Sequence, residues 1–320
     1  MTNLELLPAN TLMGVVTLKV GNLKTMTDYY INGVGLQQIT ETSNSILLGE
    51  NGIPVLNLEY APELKHAPEG SAGLFHTAIL FKAPQRLAQS VYTLLTKYGQ
   101  SFTGAADHLV SRAFYFDDPE GNGVELYVDY PRETWERFSK HGVRMDTLAL
   151  DVNKFLVENL DEKHLEDAPL HVRQNFQVNK QLHNKLEGTQ NVVSALTPTQ
   201  GDSVVGHVHL KVGNITTARN FYSNILGFDV TMEFGPQAIF FSAGGYHHHV
   251  GANTWYSNGA GPRTPALGLG QVSLILPVSE DLDILREKLV HNKIQIETPE
   301  ENTLLFNDPW LNKITVKVAQ

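Results

Sequence analysis

GVVTLKVGNLKTMTDYYINGVGL at residues 14–36 returns in diverged form as GHVHLKVGNITTARNFYSNILGF at residues 206–228. LKVGN is identical in the two, Tyr30 and Tyr222 follow at the same distance, and Gly35 and Gly227 close each copy. The alternating apolar residues of each copy give a short strand, and the spacing after the Asn is that of an amphipathic helix. A glycine placed where these stand can end such a helix. So long a match in spacing predicts a duplicated chain, each half opening on a strand-turn-helix unit.

Each copy is followed by a weaker relative. GLFHTAILF at residues 73–81 is a strand candidate; helical spacing runs through 87–98, and short strands follow near 111–116 and 124–128. In the other half, 271–276 reads as strand, 281–289 as helix, and 303–306 and 314–318 as strands. The endings match as well: DDPEGNGVELYV at 117–128 and NDPWLNKITVKV at 307–318. The chain thus reads as four βαβββ-like modules, near residues 10–60, 73–131, 203–258 and 268–320. Period-2 strands alternating with single helices make this an α+β fold. The expected organisation is an N-terminal half at 1–131, a helical connector at 132–200 and a C-terminal half at 201–320. Within the connector, 132–141 and 152–160 look helical, and 160–200 is polar with scattered apolar residues.

The 34 acidic residues against 24 Lys+Arg give a formal charge of -10. No Lys/Arg block interrupts this balance, so a nucleic-acid-binding face is not expected. No run of about eighteen apolar residues is present, so no bilayer span is expected. The opening MTNLELLPANTLMG lacks the basic-then-apolar order of a secretory leader. With no cysteine, a metal would have to be held by His, carboxylate or amide groups, and a cytoplasmic location is the expectation.

Three polar residues stand out within apolar strands. Alternation places His76 on one face with Ala78 and Leu80. Glu125, in VELYV, would be costly to bury alone and should be paired, protonated or metal-bound. His207 lies in the first strand of the third module, with His209 two residues on and on the same face. Two imidazoles and one carboxylate suit a divalent metal such as Fe(II), with positions left for substrate and oxygen; Zn and Mn also fit the donor types. A lone strand histidine is more often a hydrogen-bonded core residue, but the repeat shifts that balance. Overlaying the modules puts Val15, His76, His207 and Gln271 at one first-strand position, and Glu125 over Thr315 at the last strand. Modules one and four together offer no ligand set, whereas two and three offer a complete one. The expected architecture is therefore two paired cup-shaped mixed sheets, module 1 with 4 and module 2 with 3.

Around this set lie further candidates. In FSAGGYHHHVGANTW, strand alternation would put His247 and His249 on one face and His248 on the other. Either His248 or His249 is a candidate acid/base. His108 is a candidate at a loop rim, Tyr127 shares the face of Glu125, and Arg112 could balance charge or meet an anionic substrate.

The HVxLKVxN…FY…LGF opening and the DPxGNGVELY ending resemble the vicinal-oxygen-chelate superfamily, which includes glyoxalase I, bleomycin-resistance proteins and extradiol ring-cleaving dioxygenases. LVSRAFYFDDPEGNGVELYVDYPRETW, MDTLALDV, GHVHLKVGN and GGYHHHVGANTW look like bacterial two-half catechol-2,3-dioxygenase-type proteins. The resemblance implies Fe(II) held by His76, His207 and Glu125, with a small catechol-like or hydroquinone-like aromatic and O2 as substrates. It implies His248 or His249 as the proton-moving histidine, with His209 and Tyr127 in the pocket. Val15 departs from the family pattern, in which a histidine is common at that position. A glyoxalase-like isomerase or lyase remains an alternative, although that group usually presents two glutamates among four ligands. A metal-free small-molecule-binding protein is the other. A homo-oligomer is compatible with such sheets, and no residue pattern fixes it.

Overall fold

The asparagine that follows each LKVG turn starts a helix by capping it. Asn22 Oδ1 accepts from the Thr25 N–H at 3.0 Å, and Asn214 Oδ1 from the Thr217 N–H at 2.9 Å. The helices that follow, α1 (Leu23–Tyr29) and, in the second half, Ile215–Arg219, each widen into a π-helical turn, Tyr30–Val34 and Asn220–Ile225. Gly35 and Gly227 then adopt φ of 88° and 97°, the left-handed backbone that glycine takes without a Cβ penalty.

These details come from a computed structural model, which describes residues 6–160 and 203–319. The first module is β1 (Leu12–Val20), α1, β2 (Gln37–Glu41), β3 (Ser45–Glu50) and β4 (Ile53–Tyr60). The second is β5 (Gly73–Phe81), α2 (Pro84–Lys97), β6 (Phe102–Asp107), β7 (Ser111–Asp117) and β8 (Gly123–Asp129). A two-residue strand β9 (Leu148–Ala149) and helix α3 (Val152–Asn159) follow. The third module is β10 (Ser203–Lys211), α4 (Ile215–Arg219), β11 (Asp229–Phe234), β12 (Ala238–Ser242) and β13 (Val250–Asn253). The last is β14 (Gly268–Leu276), α5 (Ser279–His291), β15 (Thr303–Asn307) and β16 (Lys313–Val318). It lacks a third strand after its helix; an isolated bridge between Glu297 and Leu305 stands in that place.

The strands form two mixed sheets. One runs β15-β16-β14-β1-β4-β3-β2 and the other β11-β12-β13-β10-β5-β8-β7-β6-β9. β1 lies antiparallel to β14, and β10 antiparallel to β5. The sheets meet through apolar faces: Val208, Leu210 and Val250 of one come together with Val272, Leu274 and Ile314 of the other. Matching braces tie helix to loop in each half. Tyr30 Oη donates to Asp118 Oδ2, and Tyr222 Oη to Asp308 Oδ2, both at 2.9 Å. The free carboxylate oxygens then accept the Glu120 and Asn122 amides in one loop and the Trp310 and Asn312 amides in the other.

Residues 132–141 are not the helix that their spacing predicts. Only Arg132–Thr134 forms a 3₁₀ turn, and Arg137 bridges to Val143. Tertiary anchors account for this. Trp135 is buried with its Nε1–H donating to the Tyr130 carbonyl, and the Val143 amide donates to the Thr231 carbonyl. The helix expected at 152–160 is present as α3, capped by Asp151. The remainder of the expected connector, 161–200, lies outside the described residues. Among the described residues, no helix is long and apolar enough to cross a membrane.

Candidate metal centre and cavity

Three adjacent strands of the nine-stranded sheet carry the histidine and carboxylate candidates. β5 pairs with β10 so that His76 faces His209 and Ala78 faces His207; its parallel pairing with β8 sets Ala78 beside Glu125. Ala78 ends at its Cβ, so the side chains of His207 and Glu125 can converge over it. His76 Nε2 and His207 Nε2 lie 3.0 and 3.2 Å from one atom, Glu125 Oε2. One ligand atom from each of the three residues lies within 4.8 Å of the others, and all three residues are buried.

Burial acts on Glu125 by raising its pKa, but the neighbouring His207, followed by His76, outweighs it and holds the carboxyl well below its ordinary range. Burial pushes His207 down to about 4, against the pull of Glu125. A carboxylate beside a neutral His207 imidazole is the protonation state in which that pair can ligate a divalent cation. His76 Nε2 approaches Oε2 without hydrogen-bond alignment, and His207 Nδ1 and His209 Nε2 are also buried without a partner among the described residues. Leaving such atoms unpaired costs about 1–3 kcal/mol each, and a cation seated among the three donors would engage His76 directly. The donor set fits one divalent metal.

The predicted neighbours divide by position. His248 and His209 line the cavity above the cluster, as does His108. His249 does not: its Nδ1 accepts from the Ala243 amide at 3.2 Å and meets Ser242 Oγ at 3.0 Å, and burial pushes it down to about 3. Tyr127 is wholly buried behind the cluster rather than in the cavity; its ring packs 5.0 Å from that of His207 and its Oη meets Tyr246 Oη at 2.7 Å. Gly206 makes room for it, because a Cβ there would sit 1.7 Å from Tyr127 Oη. Arg112 is away from the cavity, its guanidinium over the rings of Tyr130 and Phe155. The HHH stretch is an irregular turn leading into β13, so strand alternation does not govern it.

That turn builds a chain of contacts. His247 Nε2 lies 3.0 Å from Asp129 Oδ1, and His247 Nδ1 lies 2.8 Å from His248 Nδ1. A carboxylate can only accept, so in its neutral tautomer His247 carries the proton on Nε2 and leaves Nδ1 as an acceptor. His248 must then donate from Nδ1, which leaves its Nε2 as the free lone pair. Burial, reinforced by the neighbouring histidines, keeps His248 well below the usual histidine range.

Tyr115 belongs to the site although the sequence reading did not single it out. Folding the DPEGNG turn as a hairpin pairs Tyr115 with Glu125, and the register does so; counting outward from the turn would have found it. His108 Nδ1 donates to the Asp146 carbonyl at 2.7 Å, and its Nε2 meets the Tyr115 hydroxyl, also at 2.7 Å, accepting from it in the neutral tautomer. Burial and the adjacent Glu125 raise the Tyr115 phenol well above its ordinary value. Asp129, which meets His247 from the end of β8, was also missed, because nothing in its local sequence sets it apart.

The cavity measures about 580 Å³ and is walled by Phe75, Met145, Met232, Phe240 and Trp255 around the polar floor. The floor can bind a divalent cation and hold a proton acceptor beside it, and the walls can enclose a small aromatic molecule.

Known proteins with this pattern point the same way. The profile of the Glyoxalase/Bleomycin resistance protein/Dioxygenase superfamily matches residues 204–314. The Catechol-2,3-dioxygenase of Bacillus subtilis (strain 168) is 34% identical over 304 residues, covering 94% of both chains. A provisionally described dioxygenase structure from Bacillus subtilis subsp. subtilis str. 168 superposes with a TM-score of 0.60 at 12% identity, covering 98% of this chain and 86% of that one. Glyoxalase I from Zea mays superposes at 0.53 with 13% identity, covering 97% and 92%. The two structural matches speak to the fold alone.

Proposed function

The chain belongs to the Glyoxalase/Bleomycin resistance protein/Dioxygenase superfamily, and we propose that it is a metal-dependent extradiol dioxygenase that opens the ring of a catechol-like substrate with O2. The observation that carries this reading is the convergence of His76 Nε2, His207 Nε2 and Glu125 Oε2 at the floor of an aromatic-walled cavity. One carboxylate, rather than two, favours ring cleavage over glyoxalase-type isomerisation. Fe(II) is the metal we assign, because two imidazoles and one carboxylate leave adjacent positions free for a bidentate diol and O2.

His76, Glu125 and His207 hold the metal. When bound, Fe(II) supplies a Lewis-acidic centre for a vicinal diol and the electrons that make O2 reactive. His248 Nε2, kept free by the Asp129–His247 pair, takes a proton from a substrate hydroxyl and can return it to the product. Tyr115, held by His108, presents its phenol oxygen beside Glu125 and orients the bound ring. Phe75 and Trp255 exclude water from the ring faces. The strand order supports pairing module 1 with 4 and 2 with 3 as two cups, with halves at 1–131 and 201–320 flanking a connector at 132–200. The working partners of such an enzyme are a small aromatic molecule and O2.

The experiment is anaerobic loading of the full chain with Fe(II), followed by oxygen uptake and product absorbance with a small catechol panel. Oxygen consumption coupled to a yellow ring-opened product, lost in His76→Ala and Glu125→Ala, supports the reading. Tight metal binding with no oxygen uptake would overturn it in favour of an isomerase or lyase.

A further inference from the structure

The cavity is far larger than the floor requires, and the nature of its walls is specific. Among the described residues, none that lines it is Lys or Arg. The charges it does carry besides Glu125 are those of Asp117 and Asp146, both acidic and both at exposed positions. Arg112, the cation that the sequence offered for an anionic substrate, is turned away and stacked on Tyr130 and Phe155, and Arg144, next to Met145, pairs with Glu136.

The mouth is also apolar where it meets water. Phe234 is 51% exposed, Trp255 41% and Tyr256 73%, and all three line this cavity. Trp255 packs inward on Phe75 and His209, but exposed aromatics gathered at one opening leave ring surface open to water that an apolar ligand can cover. Met145 and Met232 add adaptable apolar wall.

We propose that the enzyme selects uncharged catechols bearing an apolar ring substituent, alkyl or aryl, and discriminates against catechols bearing a carboxylate. This inference rests on the dioxygenase reading and deepens it. The diol is held at the floor, so a substituent on the far side of the ring extends towards Phe234, Trp255 and Tyr256. A carboxylate there would lose water, find no cationic partner among the described residues and face two acidic side chains. An alkyl chain there would instead bury its surface, tightening binding about fourfold for each methylene.

The test uses the full wild-type chain, loaded with Zn(II) for binding and with Fe(II) for turnover. Dissociation constants are read from Trp fluorescence for catechol, 4-methyl-, 4-ethyl- and 4-propylcatechol, 3,4-dihydroxybenzoate and its methyl ester; kcat/KM is read from oxygen uptake for the same series. The expected result is affinity rising about fourfold per methylene and the carboxylate at least about thirtyfold weaker than its ester. A Met232→Lys variant should narrow the ester-to-acid ratio, which a merely structural role for Met232 would not do. Carboxylate and ester binding alike, or the carboxylate binding better while the Fe(II) enzyme still opens catechol rings, would overturn the substrate class and leave the dioxygenase reading standing. Failure of every catechol both to bind and to be opened would overturn the two together.

Discussion

In the nine-stranded sheet, β10 and β5 set His209 opposite His76; in the seven-stranded sheet, β1 and β14 set Thr17 opposite Gln271. Glu125 stands between Ala78 and Tyr115 on its neighbouring strands, and Thr315 stands between Ser273 and Leu305. The two registers correspond position by position, and each half carries the same Tyr-to-Asp brace at 2.9 Å. Yet one sheet gathers His76, His207, Glu125 and Tyr115, and the other has Gln271, Val15, Thr315 and Leu305 in their places. Register and bracing therefore belong to the fold, while among the described residues the side chains able to hold a metal gather on one sheet alone.

The comparison can be broken most forcefully at the ligands. His76→Ala and Glu125→Ala should abolish oxygen uptake, beyond the 10- to 100-fold effects typical of groups one layer out from a metal (about 10–100-fold). Gln271→Ala and Thr315→Ala, at the matching positions, should leave it unchanged. Comparable losses from both pairs would mean that both sheets serve the reaction. Next in size is His248→Ala, expected to lower kcat by about 10²–10⁴-fold while elemental analysis finds the metal still bound. His249→Ala should leave that kcat within a fewfold of wild type wherever the protein folds, because its nitrogen serves the Ala243 amide.

A smaller effect sharpens the structural half of the comparison. Gly206 and Gly14 occupy matching positions, but an added Cβ would lie 1.7 Å from Tyr127 Oη in one case and 2.9 Å from Ser273 Cβ in the other. Gly206→Ala should destabilise by about 1–3 kcal/mol in denaturant unfolding, and Gly14→Ala by less. The smallest difference is expected between the braces. Tyr30→Phe and Tyr222→Phe should each cost about 1–2 kcal/mol, by similar amounts, with metal content unaltered.

The repeat made the fold legible because strand alternation, the Asn cap and the closing glycine act locally and recur. Residues 73–81 were read as a strand and form β5. His76, Glu125 and His207 stood out because a lone polar residue in an apolar strand demands a partner, and their convergence follows from cross-strand register. What escaped the sequence was set by irregular backbone. The turn holding His247, His248 and His249 follows no period, so the contacts of His247 with Asp129 and the turning of His249 into the core could not be read from alternation. Residues 132–141 have helical spacing, but the burial of Trp135 and the tie of Val143 to Thr231 outweigh a weak local preference. Tyr115 was within reach, since the hairpin turn places it opposite Glu125.

The most direct test of the central claim is a metal count. Full-length chain, stripped and then reloaded anaerobically with Fe(II), should retain one metal per chain after gel filtration. Glu125→Ala should retain none and Thr315→Ala should retain one. Two metals per wild-type chain, or one still bound in Glu125→Ala and lost in Thr315→Ala, would contradict a single centre built from His76, Glu125 and His207.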